Sequence, residues 1–269
     1  MTTRKRVYIT GGSSGMGRGL AHLYAGQGCD VVLLARGTTG QLQEAVDSCR
    51  ELAPDPGQAI MAEFLDVTAF DTLQSDMDQL MARHGVPDLL ILCAGVATNS
   101  TFLDTPREKF DWVLEVNLAG SREMARTVLP AMLKRGSGQI VFFSSMAGML
   151  GIYGYSAYSA SKFAVNGLVQ ALRQELLGTG VSVNLVCPPE VQTPMIAAEA
   201  ASVLPQTRFL KDLGGTLEPE MAVRKIARGI GRNKAIIIPG ARAGLMAWTA
   251  RHFPWLFGKT SELLLRWKF

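Results

Sequence analysis

Short runs of β-branched and other apolar residues recur along this chain, each followed by a longer stretch with apolar residues at helical spacing. Residues 7–10 read as a buried strand, followed by a glycine-rich turn and a helix over 15–27. Residues 30–35 predict a second strand and residues 40–52 a second helix. Further strands are predicted at 59–65, 88–93, 139–144, 181–187 and 235–238, with helices near 69–83, 107–134, 157–178 and 218–231. Strands that are apolar on both faces and separated by helices imply a parallel sheet covered on both sides, a doubly wound α/β fold. Two stretches fall outside the alternation. Residues 188–217 form a long Pro- and Gly-containing connection, the kind that serves as a lid or binding loop, and residues 240–269 form an apolar and basic tail.

Composition limits the alternatives. The 269 residues are 48% hydrophobic and 19% charged, a globular balance in a chain long enough to build a core without staples. The expectation is a single Rossmann-type domain over 1–239, with 240–269 packed on it or extending it. Cys29, Cys49, Cys93 and Cys187 form no CxxC pair, and His22, His84 and His252 are scattered, so neither a metal site nor a histidine triad is expected. Met1-Thr2-Thr3-Arg4-Lys5-Arg6 runs straight into a strand too short for a secretory h-region. No uncharged apolar window approaches the roughly 20 residues of a spanning helix, so a cytoplasmic location is expected.

Net charge is +4, but it is unevenly placed. Residues 220–269 hold ten Lys and Arg against Glu220 and Glu262, whereas residues 1–219 hold 17 basic and 21 acidic residues. A general nucleic-acid binder would not segregate its charge this way, so no nucleic-acid partner is expected.

Three constellations carry chemistry. Thr10-Gly11-Gly12-Ser13-Ser14-Gly15-Met16-Gly17 follows a strand and opens a helix, where glycines let backbone N–H groups and a helix N-terminus approach a pyrophosphate. Tyr158 and Lys162, four apart on a predicted helix, share one face, and an ammonium beside a phenol lowers its pKa from about 10. Ser145 ends a predicted strand on the carboxyl side of the sheet, placed to hydrogen-bond a carbonyl oxygen as charge develops there.

The TGxxxGxG spacing, Ser145 thirteen residues before Tyr158, the YxxxK pair and Asn117 together resemble the short-chain dehydrogenase/reductase family over about residues 5–238. The resemblance implies a catalytic tetrad of Asn117, Ser145, Tyr158 and Lys162. In it Tyr158 protonates the carbonyl oxygen, Lys162 lowers the Tyr158 pKa and binds the cofactor ribose, Ser145 orients the carbonyl, and Asn117 holds a relay water. It also implies cofactor contacts from Gly11, Ser13, Ser14, Gly15, Met16, Gly17, Asp66, Val67, Ala94, Gly95, Tyr158, Lys162, Pro188, Val191 and Thr193. Cofactor choice has its own signal: Leu34-Ala35-Arg36-Gly37 ends the second strand without an acid, and Arg36 suits the 2′-phosphate of NADP(H). Two departures from the family pattern are Cys93 in place of the Asn before Ala94-Gly95, and Pro188-Pro189 in place of Pro-Gly.

Within the family, residues 144–164 with Pro188-Pro189-Glu190 and Thr193-Pro194 resemble the 3-ketodihydrosphingosine reductases, which implies an NADPH-dependent reduction of a long-chain lipid ketone. Other apolar ketones or alcohols (steroid, retinoid, fatty-acyl) and a catalytically silent nucleotide-binding protein are the alternatives. The family implies homodimers or homotetramers through the long helices. The tail carries Trp248, Trp255 and Trp267 beside Arg251, Lys259, Arg266 and Lys268, split by Pro254. Such a tail suits peripheral contact with a bilayer, cover for a hydrophobic groove, or packing on the core or a subunit.

Overall fold

The computed structural model describes residues 4–36 and 39–269; the Met1–Thr3 start and Gly37 lie outside them. Nine strands occur among the described residues: β1 (Arg6–Thr10), β2 (Asp30–Ala35), β3 (Ile60–Phe64), β4 (Leu89–Leu92), β5 (Gly138–Phe143), β6 (Val181–Val186), β7 (Glu190–Val191), β8 (Thr216–Leu217) and β9 (Ile236–Ile237). Seven of them build one sheet in the order β3-β2-β1-β4-β5-β6-β9, every pair parallel. The remaining two, β7 and β8, pair by themselves.

The strand pleat sorts the core into two layers. Val7, Ile9, Val31, Leu33, Leu89, Ile91, Val141 and Phe143 face one side, under α1 (Gly15–Gly26), α2 (Thr39–Leu52) and, later in the chain, α9 (Pro219–Gly231). Their neighbours Tyr8, Val32, Leu34, Leu90, Leu92, Ile140 and Phe142 face the other, under α3 (Phe70–His84), α5 (Ser121–Arg135) and α6 (Ser156–Glu175). Successive residues point to opposite faces of a strand, so unbroken apolar runs are what a doubly covered sheet requires. The helix that precedes α5, α4 (Arg107–Leu114), runs into it through a π-helical stretch, Glu115–Gly120, and Asn117 sits inside that widened turn.

The connection over 188–217 is more ordered than its composition suggests. It folds into β7, α7 (Pro194–Glu199), α8 (Pro205–Gly214) and β8. Pro194 and Pro205 open the two helices at positions where the missing N–H has no partner to lose. Beyond α9 (Pro219–Gly231) and β9, the tail forms α10 (Ala241–His252) and α11 (Pro254–Lys268), broken at Pro254 as its sequence predicts. Ala243 and Ala247 of α10 bury themselves against Met146 and Leu150, with Phe257 of α11 alongside, so the tail packs on the body.

Candidate active site

The direction of chain crossover reverses at β1, which pairs with β2 on one side and β4 on the other. Ligands of open α/β sheets bind outside the strand ends at such a point. The loop after β1 is shaped for close approach: Gly11 and Gly15 have φ of +68° and +55°, and a Cβ on Gly17 would lie 2.2 Å from the Gly11 carbonyl oxygen. Ser14 precedes α1 in an extended conformation and makes no side-chain capping bond, which leaves the first-turn N–H groups of α1 to an external anion. A Cβ on Gly15 would lie 3.6 Å from Thr193, so Thr193 stands over this loop from the start of α7.

Around the loop the other expected contacts converge. Arg36, half-exposed at the end of β2, approaches Asp66 to 3.5 Å. Asp66 Oδ1 accepts from Thr68 N (2.9 Å) and Thr68 Oγ1 (2.7 Å). Burial raises the Asp66 carboxyl, but these bonds and the Arg36 guanidinium overcome it and hold the group below its ordinary pKa. On the β4 side, Ala94 N donates to Thr10 Oγ1 at 3.1 Å, tying β4 to β1 beside Cys93. A Cβ on Gly95 would lie 3.1 Å from Asn117 Oδ1 and 3.5 Å from Lys162 Nζ. Val67 and Val191 are buried, and the Pro188 carbonyl accepts from Met146 N at 2.9 Å.

The four tetrad residues come together from three segments: the π-helical stretch, the turn after β5, and α6. Asn117 is fully buried; its Oδ1 accepts from Val96 N (2.8 Å) and its Nδ2 donates to the Val96 carbonyl (2.9 Å) and Ser161 Oγ (3.0 Å). Its amide therefore braces the segment after β4 against α6. Ser145 caps the short turn Met146–Gly148, with Oγ accepting from Ala147 N at 3.1 Å, and its hydroxyl lowers the Tyr158 pKa. Capping and substrate contact are compatible, because a hydroxyl has two lone pairs and one proton.

Lys162 is 4% exposed and donates to the Phe143 carbonyl at 2.9 Å. Its Nζ lies 5.6 Å from the centroid of the Tyr158 ring. Burial pulls the Lys162 ammonium down to about 8. Burial also pushes the Tyr158 phenol up to about 12, against the lowering pull of Ser145. The expected lowering of Tyr158 by Lys162 is thus outweighed: desolvation dominates, and the phenol is held as an acid. That is the protonation state a carbonyl reduction requires.

A cavity of about 460 Å3 opens from Ser145 and Tyr158. Its walls are mostly apolar, with Leu150, Ile152, Val191, Ile196, Leu210 and Leu213 from the body and Met246, Phe257, Leu264 and Leu265 from the tail. Tail residues in this wall were not singled out by sequence, although cover for a groove was among the readings of 240–269.

Sequence reasoning also missed a buried polar cluster at one side of the cavity. Lys211 of α8 donates to Glu190 (2.7 Å), Glu199 (3.1 Å) and the Tyr155 hydroxyl (3.0 Å), and Tyr155 donates to Glu199 at 2.5 Å. Arg208 forks onto Glu190 at 2.9 and 3.1 Å. Burial raises the Glu190 carboxyl, but Arg208, Lys211 and Thr216 together hold it below its ordinary value. The Tyr155 ring lies 5.3 Å from that of Tyr158. Only Glu190 carried a signal, in the Pro188-Pro189-Glu190 motif.

Comparison with known proteins agrees with this geometry. Residues 5–203 match the short chain dehydrogenase family. The chain is 33% identical over 223 residues to the 3-ketodihydrosphingosine reductase of Bos taurus, covering 82% of this chain and 67% of that protein. It is 37% identical over 229 residues to the 3-dehydrosphinganine reductase TSC10A of Arabidopsis thaliana, covering 84% and 68%. Among solved structures, a short-chain dehydrogenase from Streptomyces avermitilis superimposes with a TM-score of 0.80 at 27% identity, covering 98% of each chain. A short chain dehydrogenase/reductase from Burkholderia phymatum, solved in complex with NAD, gives 0.81 at 25% identity over 94% and 95%.

Proposed function

We propose that this chain, which belongs to the short-chain dehydrogenase family, is an NADPH-dependent reductase of a long-chain lipid ketone of the 3-ketodihydrosphingosine kind. The observation that carries the reading is the cavity. One end holds the acid Tyr158 and the hydrogen-bonding Ser145, and the rest is a mostly apolar wall, with Glu190 and Lys211 at one side, roofed by α8 and the tail. Its volume lies within the roughly 300–1,000 Å3 of small-molecule sites. Relatives named for reduction of 3-ketodihydrosphingosine support the substrate class.

The residues present fit a nicotinamide dinucleotide. The Gly11–Gly17 loop and the α1 N-terminus would hold its pyrophosphate, Asp66, Val67, Ala94 and Gly95 the adenosine side, and Pro188, Val191 and Thr193 the nicotinamide side. Arg36, which follows β2 where an NAD site would carry an acid and which lies 3.5 Å from Asp66, would take a 2′-phosphate. When bound, the nicotinamide supplies the hydride. Ser145 hydrogen-bonds the ketone oxygen and fixes it beside Tyr158, whose hydroxyl proton moves to that oxygen as the carbonyl becomes an alkoxide. Lys162 keeps a positive charge next to the phenolate that remains, and Asn117 holds the Lys162 side of α6 in place.

The tail serves the same substrate. Its inner face lines the cavity, while Trp255, Leu263 and Trp267 stand exposed beside Lys259, Arg266 and Lys268, a pattern suited to a bilayer surface. Among the described residues no helix is long and apolar enough to cross a membrane. The exposed Phe163 of α6 and Leu133 of α5 would lie in a subunit interface of a homodimer or homotetramer.

Steady-state reduction with NADPH or NADH, using a long-chain 2-amino-3-ketone and a short ketone, tests the reading. NADPH with the long chain is expected to give the highest kcat/KM, and Tyr158→Phe to abolish turnover while leaving cofactor affinity nearly intact. Absence of turnover with every ketone, alongside tight NADPH binding, would indicate a silent nucleotide-binding protein. Sedimentation with anionic vesicles tests the tail: Trp255→Asp/Leu263→Asp is expected to release the protein, and equal binding would refute the surface.

A further inference from the structure

Half of the cations in residues 220–269 lie before the tail, and the reaction proposed above uses none of them. Lys225 and Arg228 stand on α9, and Arg232 and Lys234 on the turn that leads into β9. With Gly229 and Ile236, Ile237 and Ile238 they line a second cavity of about 270 Å3. No carboxylate contributes to its wall.

All four cations are exposed, and among the described residues none of them forms a salt bridge or donates a side-chain hydrogen bond. Their neighbour Arg224, one turn away on the same helix, instead pairs with Glu220 at 3.4 Å. Charges on a sheet edge can serve to discourage pairing with another strand, and β9 does end the sheet. That role would spread charge along the strand. Here two cations come from the helix and two from the turn, and they line one concavity whose remaining wall is mainly isoleucine.

From this placement we infer a binding site for a phosphate group at the α9–β9 edge. Two guanidinium forks, Arg228 and Arg232, match phosphate oxygens pairwise, and Lys225 and Lys234 add point charges. The isoleucine wall suits the carbon side of a phosphate ester. A soluble phosphate ester and a phospholipid headgroup present the same chemistry to such a site. The inference is independent of the reductase reading, because it concerns a cavity lined by none of the tetrad or cofactor-contact residues.

The test uses the full chain. Calorimetric titration with glycerol 3-phosphate measures the soluble arm, and sedimentation with phosphatidylcholine vesicles with and without phosphatidic acid measures the lipid arm. Arg228→Glu/Arg232→Glu is compared with wild type and with Arg107→Glu, an exposed charge reversal on α4. The difference between wild type and the double variant isolates this cavity from the anion-binding loop at Gly11–Gly17. The expected result is at least a tenfold loss of affinity in one arm for the double variant and none for Arg107→Glu. The arm that responds identifies the source of the phosphate. Lys225→Gln/Lys234→Gln, which removes charge without reversing it, should shift affinity the same way and covers the case of a misfolded first variant. Equal binding by wild type and both double variants in both arms would overturn the inference, as would an equal loss in Arg107→Glu.

Discussion

Replacing Lys162 by Met should make the protein more stable and inactive at once. Burial holds the Lys162 ammonium down to about 8 instead of 10.5. At about 1.36 kcal/mol per unit, keeping that charge at pH 7 costs the folded state roughly 3 kcal/mol. Met fills similar volume without charge but leaves the Phe143 carbonyl without the 2.9 Å bond from Nζ, a loss of about 1 kcal/mol. The expected net gain is about 2 kcal/mol at pH 7. Between about 8 and 10.5 the folded wild type holds fewer protons at this site than the unfolded chain, so wild-type stability rises with pH there. The advantage of Lys162→Met should therefore fade across that window and reverse above it by the value of the lost bond. Urea denaturation of both proteins at pH 7 and pH 9.5, with reductase activity measured in parallel, provides the assay. A variant less stable than wild type at pH 7, or a difference that does not change with pH, would refute the reasoning.

Three further outcomes follow from the site. Gly17→Ala places a methyl group 2.2 Å from the Gly11 carbonyl oxygen, and the forced shift should cost about 1–3 kcal/mol in chemical denaturation and weaken cofactor binding; unchanged values in both would remove the close-approach argument. Arg36→Asp removes the cation at the end of β2 and supplies a ribose-binding acid, so the ratio of kcat/KM for NADPH over NADH should fall by at least tenfold; an unchanged ratio would place 2′-phosphate recognition elsewhere. For reduction, kcat/KM should fall as pH rises through about 8, where Lys162 loses its proton, while Tyr158, pushed up to about 12, stays protonated. A rate flat to pH 10 would show that the Lys162 charge is not required.

Much of this molecule was legible from local sequence. Each large strand is a mainly apolar run, and its structural bounds differ from the expected ones by a residue or so, as with 181–187 against Val181–Val186. The phosphate loop and the Tyr158–Lys162 pair were legible because their chemistry depends on spacing within one turn or one helix. The cluster of Tyr155, Glu190, Glu199 and Lys211 was not, since it joins residues as far apart as 56 positions through the packing of α7 and α8 on the body. Nor were the short helices of 188–217 read from the sequence. α7 is six residues long and has no buried face, and in α8 Thr207 is the buried residue. The direction of the Tyr158 shift also depended on the third dimension. An i,i+4 lysine suggests a lowered phenol, but the ammonium is turned to the Phe143 carbonyl and desolvation sets the sign.

The cluster at the base of α7 and α8 has a mechanical consequence. These helices cover the cavity, and among their fastenings are Lys211 between Glu190 and Glu199 and Arg208 clamped on Glu190. A clasp of hydrocarbon would resist parting, because each opening would expose apolar surface to water. Charges parted in water regain their hydration, so the closed and open positions of an ionic clasp differ little in free energy while its directional bonds still define one closed geometry. The ion pairs of Lys211 with Glu190 and Glu199 therefore set the register of α7 and α8 over the cavity more than they add to its stability.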